Sequence, residues 1–425
     1  MKNKLSQNHL IATLFQVKGN PRACLLTEPL WGIPYNLFLP FATLYMYALG
    51  VKDEQIGLLL TVGMILQGVA ALLGGIITDK FGRRWITFLI DIISWSVPCI
   101  LWTFSQNFWW FLAAAIFNSF NLITATSWQC LLVEDCDSKK LVNVFTWVNI
   151  SGLLAVFFAP LSAVFVSRFT LVPAVRILYG ISFVMMTVKF IILYIFSTET
   201  EQGKKRMEET REESIWSLFL GYKDIFMKLI GSGQMLLVLA IFIAINISSI
   251  TINNFFGLYI TQNLNIPESY VSLFPISRAV IMLLFSFLFQ SWINRLKYRP
   301  VLIWGFIIYI FSHILLLIET AQSTILIVGY TLLEAIAYAL IIPRRDSLGT
   351  LFIDKQDRAR VTSLIFVVML AVSSPFGTVI GWLSSVNRQY PFMLNIVLFG
   401  LMTLVITNSK AIAKHDSEEE AQEAD

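Results

Sequence analysis

The chain has 425 residues, 56% of them hydrophobic and only 14% charged, with a net charge of +4. A soluble domain carries roughly 25% charged residues, so this chain has too little polar material to cover itself in water and calls for a lipid bilayer as its solvent. No basic block with interleaved aromatics argues for nucleic acid, no G-x-x-x-x-G-K-[ST] loop argues for an ATP-driven pump, and the three histidines, His9, His313 and His415, are too far apart to suggest an enzyme, a metal site or a cofactor.

Residues 1–22 are polar and mixed. The apolar run after them is too long for a signal peptide, so an uncleaved first span is expected. A helix needs about 20 mostly apolar residues to cross the hydrocarbon core. Runs of that kind cover 24–49, 54–78, 86–104, 108–133, 141–167, 174–197, 235–260, 269–293, 301–319, 323–343, 361–385 and 390–408. The expectation is an all-α integral membrane protein with twelve transmembrane helices in two six-helix halves. Those halves are 1–197 and 235–409, joined by a cytoplasmic linker at 198–234 and followed by an acidic cytoplasmic tail at 410–425. The linker opens with a charged stretch, Glu199 to Glu213, expected to be flexible. It continues with Ile215, Trp216, Phe219 and Leu220 on one face of a helix lying on the membrane surface.

Lys and Arg placement sets the orientation. Of the 31, 25 fall in segments on one side, four in loops on the other, and Lys189 and Arg278 within spans. Both termini are therefore expected in the cytoplasm of a multi-pass protein of the cell membrane. Cys24, Cys99, Cys130 and Cys136 form no C-x-x-C pair and are expected to pack as apolar residues. Pro29, Pro34, Pro40, Pro160 and Pro375 remove backbone donors inside spans and predict kinks.

Between the second and third spans stands Gly75-Ile-Ile-Thr-Asp79-Lys80-Phe-Gly82-Arg83-Arg84. Gly75 permits close helix approach, and Gly82 permits a tight turn. Asp79, Lys80, Arg83 and Arg84 can form a charged cluster, with Glu134 and Asp135 at the inner end of the fourth span as partners for the arginines. This string resembles the loop signature of the major facilitator superfamily. The resemblance implies a secondary transporter in which the residue at Asp79 caps a helix of the other half, here near Thr362. The second half departs from the pattern: Asn294-Arg-Leu-Lys-Tyr-Arg299 keeps basic residues and lacks the Asp and both glycines. The fifth span reads Phe158-Ala-Pro160-Leu-Ser-Ala163, without the Gly-Pro-x-x-Gly-Gly string of many drug antiporters in this superfamily.

In the fold so implied, the first, fourth, seventh and tenth spans line a central cavity. Their polar residues are Tyr35 and Asn36; Asn118, Asn121 and Trp128; Asn246, Ser249 and Asn253; and Tyr330 and Tyr338, with Glu334 between the two tyrosines. Amides that donate and accept, beside aromatic faces, suit an uncharged hydroxyl-rich solute such as a sugar or glycoside; amides also join helices to one another in membranes. Glu334, about eleven residues from either surface, is a costly place for a charge and suits a proton carrier, with Arg278 as its partner. Glu28, Asp91 and Lys189 lie closer to the inner surface and are expected at the interface, Glu28 having a rival role in a cation site. His313 is expected to be an ordinary buried histidine. The leading expectation is a monomeric transporter taking up a small polar solute with protons or sodium. Efflux of amphipathic drugs against protons, and a sensor on the same scaffold, stay open.

Overall fold

The computed structural model describes residues 13, 16–137, 140–212, 231–293, 296–319, 325–351 and 358–409. Among them all regular structure is helical, and eleven segments are long and apolar enough to cross a membrane. They run Asp53–Phe81, Arg83–Thr103, Phe108–Val133, Asn143–Phe169, Leu171–Phe196, Gly233–Gln262, Glu268–Phe289, Tyr298–Ile318, Ile325–Leu348, Leu364–Val386 and Tyr390–Asn408. These are the second to twelfth spans. The first is built of consecutive short pieces, Gly19–Thr27, Pro29–Phe38, a 3-10 turn at Leu39–Phe41 and Ala42–Ala48. Pro29 and Pro40 stand at breaks, since each withholds an N–H from the helical ladder, while Pro34 lies inside Pro29–Phe38, which continues through it.

Other spans carry local defects. The third contains a π-helical turn, Ile92–Ser96, just ahead of Pro98. The fourth divides into Phe108–Asn118 and Asn121–Val133, and the fifth divides before Pro160, which lies in the first turn of Ala159–Phe169. Pro343 and Pro375 lie inside helices that continue through them.

The chain forms two compact units, 1–51 with 59–220 and 52–58 with 221–425. The first buries Cys24, Leu131, Leu132, Val144 and Leu193 together. The second buries Ile241, Leu302, Phe306, Tyr309, Ile341 and Phe399. Lipid is as apolar as these side chains, so helix association depends on close packing and small residues. Gly305 shows this, since a Cβ there would meet Ile341 at 2.7 Å. In the second unit Asp53 accepts from Ser384 (2.6 Å) and pairs with Arg388 (3.3 Å). All four cysteines are free thiols, Cys24 and Cys99 buried and the other two half-buried.

Two expectations need correction here. The charged stretch after the sixth span is an ordered helix, Glu201–Glu209. Thr200 caps it by accepting from the Gly203 amide at 2.8 Å, and Glu201 stands in its first turn, where a carboxylate favours the helix dipole. The interface placement of Asp91 and Lys189 is also replaced: both are buried, at 3% and 5% exposure. The amphipathic stretch at 215–220 and the acidic tail at 410–425 lie outside the described residues.

Candidate functional site

In the second unit, the eighth span (Leu273–Ile293) presents Arg278 and the tenth (Ile325–Leu351) presents Glu334. Arg278 Nη2 donates to Glu334 Oε1 at 2.5 Å, and Glu334 is 1% exposed. Taking two charges out of water costs several kcal/mol each, a cost offset only by close geometry and further hydrogen bonds. Aromatic faces complete the surroundings. The guanidinium lies 5.4 Å from the Tyr338 ring centre, and Tyr338 meets Tyr309 at 5.7 Å. Tyr330 is buried and stacks on Phe256 at 5.3 Å.

The seventh span (Gly233–Gln262) contributes less uniformly than its spacing suggests. The Asn246 amide nitrogen is buried without a hydrogen-bond partner, and the buried Tyr330 hydroxyl lies beside Arg278. Ser249 donates back to the Ile245 carbonyl (2.9 Å), while Asn253 is exposed. Ser248, overlooked in the sequence, is fully buried and bonds the Tyr309 hydroxyl. His313 is fully buried, with Nδ1 against the Tyr309 carbonyl (3.1 Å) and Nε2 against Asn395 (3.3 Å), as suits a packing histidine.

In the first unit Tyr35 stacks on Trp31 at 4.8 Å and 12°, and both meet Trp95 edge-on at 5.8 and 5.2 Å. Trp31 and Trp95 were not among the candidates, because an aromatic in an apolar run gives no polar signal. Asn36 donates to its own helix at Gly32 (2.8 Å). Asn118 donates to the Ser94 carbonyl in the π turn (2.8 Å), so its amide ties the third and fourth spans together. Asn121 opens the second piece of the fourth span and is half-buried. Trp128, half-buried, leaves its indole N–H without a partner and lies 5.7 Å from the Lys189 ammonium.

The loop signature forms a dense ionic knot within the first unit. Gly82, at φ +88, makes the turn into the third span. Arg83 is 3% exposed and bonds both Glu134 oxygens (3.1–3.2 Å) and Asp79 Oδ1 (2.9 Å). Asp79 Oδ2 is taken by Arg206 at 2.9 Å. Glu199 accepts from the backbone N–H groups of Arg83 (2.9 Å) and Arg84 (3.0 Å), an anion at a helix N-terminus where free donors and the dipole favour it. Glu134 also accepts from Thr200. Arg84 instead donates to the Tyr194 carbonyl (2.8 and 3.1 Å). Asp135 serves Asn20 (2.7 Å) rather than an arginine. Close helix approach occurs at Gly74, where a Cβ would meet Thr126 at 3.0 Å; at Gly75 it would meet nothing within 4 Å. Lys80 stands in the last turn of the second span, which ends at Phe81. Glu199, Thr200 and Arg206 were missed because they belong to a stretch whose composition reads as solvated linker. The side chain of Thr362 lies outside the described residues.

The Major Facilitator Superfamily model matches residues 31–253 and 236–424. The chain belongs to this superfamily. It is thus a membrane transporter by family. Among curated relatives it is 32% identical to the multidrug resistance protein MdtG of Yersinia enterocolitica and 31% identical to that of Rahnella. Those matches cover 95 and 94 residues, 21% of this chain and 22% of each relative. Among solved structures it resembles the nucleoside transporter NupG (14% identity, TM-score 0.69, covering 91% of this chain and 99% of that one). It also resembles a POT family transporter in complex with 5-aminolevulinic acid (14%, 0.71, 93% and 98%). A bacterial homologue of the lysosomal transporter Spinster gives 15%, 0.69, 94% and 97%. At these identities the likeness shows the fold alone.

Proposed function

We propose that this superfamily member carries out ion-coupled uptake of a small polar solute by alternating access, with Glu334 and Arg278 as its coupling pair. The observation that carries the reading is the Glu334–Arg278 contact at 2.5 Å, deep in the second unit and bordered by Tyr338. A buried carboxylate whose one ionic partner is an arginine has two low-energy arrangements, ion-paired or protonated and released. A proton-driven cycle needs two such states. The unpaired Asn246 amide offers a donor for a solute rich in oxygen, and a sugar or glycoside is the class that fits. Within the first unit, Tyr35 and Trp31 form a stacked aromatic face. Asn118 and Asn36 already spend their amides on protein carbonyls, Asn118 to tie the third and fourth spans and Asn36 within its own helix.

Efflux of amphipathic compounds is the second reading, supported by the partial similarity to MdtG. Proteoliposomes carrying a pH gradient separate the two. Radiolabelled sugars, glycosides and nucleosides are offered on one arm and fluorescent ethidium on the other, each with and without a protonophore and with and without sodium. Protonophore-sensitive accumulation of a polar solute is expected. In Glu334→Gln that accumulation vanishes while solute exchange persists, and unchanged accumulation would defeat the coupling role. Ethidium extrusion with no polar-solute uptake would favour the second reading.

A further inference from the structure

A separate buried charge set lies in the first unit and has no part in the reading above. Glu28 comes from the junction of the first two pieces of the first span, Asp91 from the third span, just before its π turn, and Lys189 from the sixth. Lys189 Nζ is 3.1 Å from Glu28 Oε2. Asp91, 3% exposed, lies within electrostatic reach of both. Thr124, itself 6% exposed, turns its hydroxyl to the Asp91 carboxylate. The rings of Trp31, Trp128 and Phe190 stand 5.7 to 5.8 Å from the ammonium. Three further titratable groups stand beside the set. Cys24 is a fully buried thiol on the first span. Arg84 and Tyr194 line one narrow crevice with Asp91, Thr87 and Ser197; the Arg84 guanidinium is turned to the Tyr194 carbonyl and to its ring, 4.1 Å away, and the charges that act on Asp91 are those of Lys189 and Glu28.

The charges do not balance. One ammonium faces two carboxylates in a setting where an uncompensated ion costs several kcal/mol. The set therefore reaches neutrality by gaining one more positive charge. A metal ion would need a shell of oxygen ligands, and here the surroundings beyond Glu28, Asp91 and Thr124 are largely aromatic and thiol. A proton needs one oxygen. We propose that Glu28, Lys189 and Asp91 form a proton-binding site in the first unit, distinct from Glu334, with Asp91 as the oxygen that takes the proton. The step is formation of one O–H bond at the Asp91 carboxylate and its breakage on release, with Lys189 remaining an ammonium throughout.

The test is a pH titration of the purified full-length protein in lipid nanodiscs, followed by infrared absorption of protonated carboxyl groups and its shift in D2O. The wild type and Glu334→Gln are expected to show a titrating carboxyl band that Asp91→Asn loses. A band unchanged in Asp91→Asn would overturn the proposal, and a band lost only in Glu334→Gln would overturn it while favouring the coupling pair of the second unit. Should Asp91→Asn fail to fold, Glu28→Gln replaces it. That variant frees Lys189 to pair with Asp91 and is expected to move the midpoint of the band; an unmoved midpoint counts against the site. Sodium chloride titrated at fixed pH supplies the remaining arm. A sodium-dependent thermal shift abolished by Asp91→Asn, without a carboxyl band, would assign the site to a metal cation instead.

Discussion

Two buried charge sets, one per unit, meet the same physical problem with different stoichiometry. Glu334 and Arg278 match one for one at 2.5 Å, so the loss of either leaves its partner with no counter-charge in contact. In the other set the two carboxylates of Glu28 and Asp91 share the single ammonium of Lys189, and the loss of one carboxylate leaves the ammonium a second. The matched pair should be brittle and the unmatched set tolerant. A transporter with both has one place where a charge must move as a unit and another where it can move by degrees.

Arg278→Met strikes the brittle side hardest. It leaves Glu334 buried without its cation and is expected to destabilise the protein by about 3–5 kcal/mol, read by denaturation in detergent. Arg278→Met with Glu334→Leu should regain most of that loss, and a double variant as weak as the single would show that the pair is not the cause. Glu28→Gln is the matching change on the tolerant side, with an expected loss of about 1–2 kcal/mol because Asp91 remains near Lys189. A loss as large as that of Arg278→Met would erase the contrast.

Smaller effects test the ionic knot of the loop signature. Gly82→Ala forces a side chain into φ +88 and sets its Cβ 2.7 Å from Glu199 and 2.9 Å from Met207, for a cost of about 1–2 kcal/mol. Arg206→Ala removes a partly exposed pair and is expected to cost less than about 1 kcal/mol. Its readout is limited proteolysis, with faster cleavage between Thr198 and Arg211 expected. Unchanged cleavage would mean that Arg206 does not hold the linker helix in place.

The resemblance carried the family and the helix count because both rest on long apolar runs and one tightly specified loop. The breaks in the first span were legible as prolines, whose chemistry acts locally. Asn118 was legible only in part. Its spacing placed it with other polar residues, but its partner is a carbonyl in the π turn, and no composition announces that irregularity. Asp91 and Lys189 were misplaced because counting residues from the membrane surface measures depth and says nothing of neighbours on other helices. The helix Glu201–Glu209 failed for the opposite reason. Alone, a nine-residue charged helix is marginal in water; docking to Asp79 and capping by Thr200 stabilise it, and Asp79 lies far outside the stretch that was read.

Glu199 is covalently part of the connector, yet its carboxylate closes the start of the third span. Any scheme that severs the protein into separately expressed pieces must respect this. A cut after Ser197 would strip the leading fragment of its own plug, whereas a cut beyond Thr210 lets that fragment keep it. Co-expressed fragments divided at the later point should accumulate in the membrane where those divided at the earlier one are degraded.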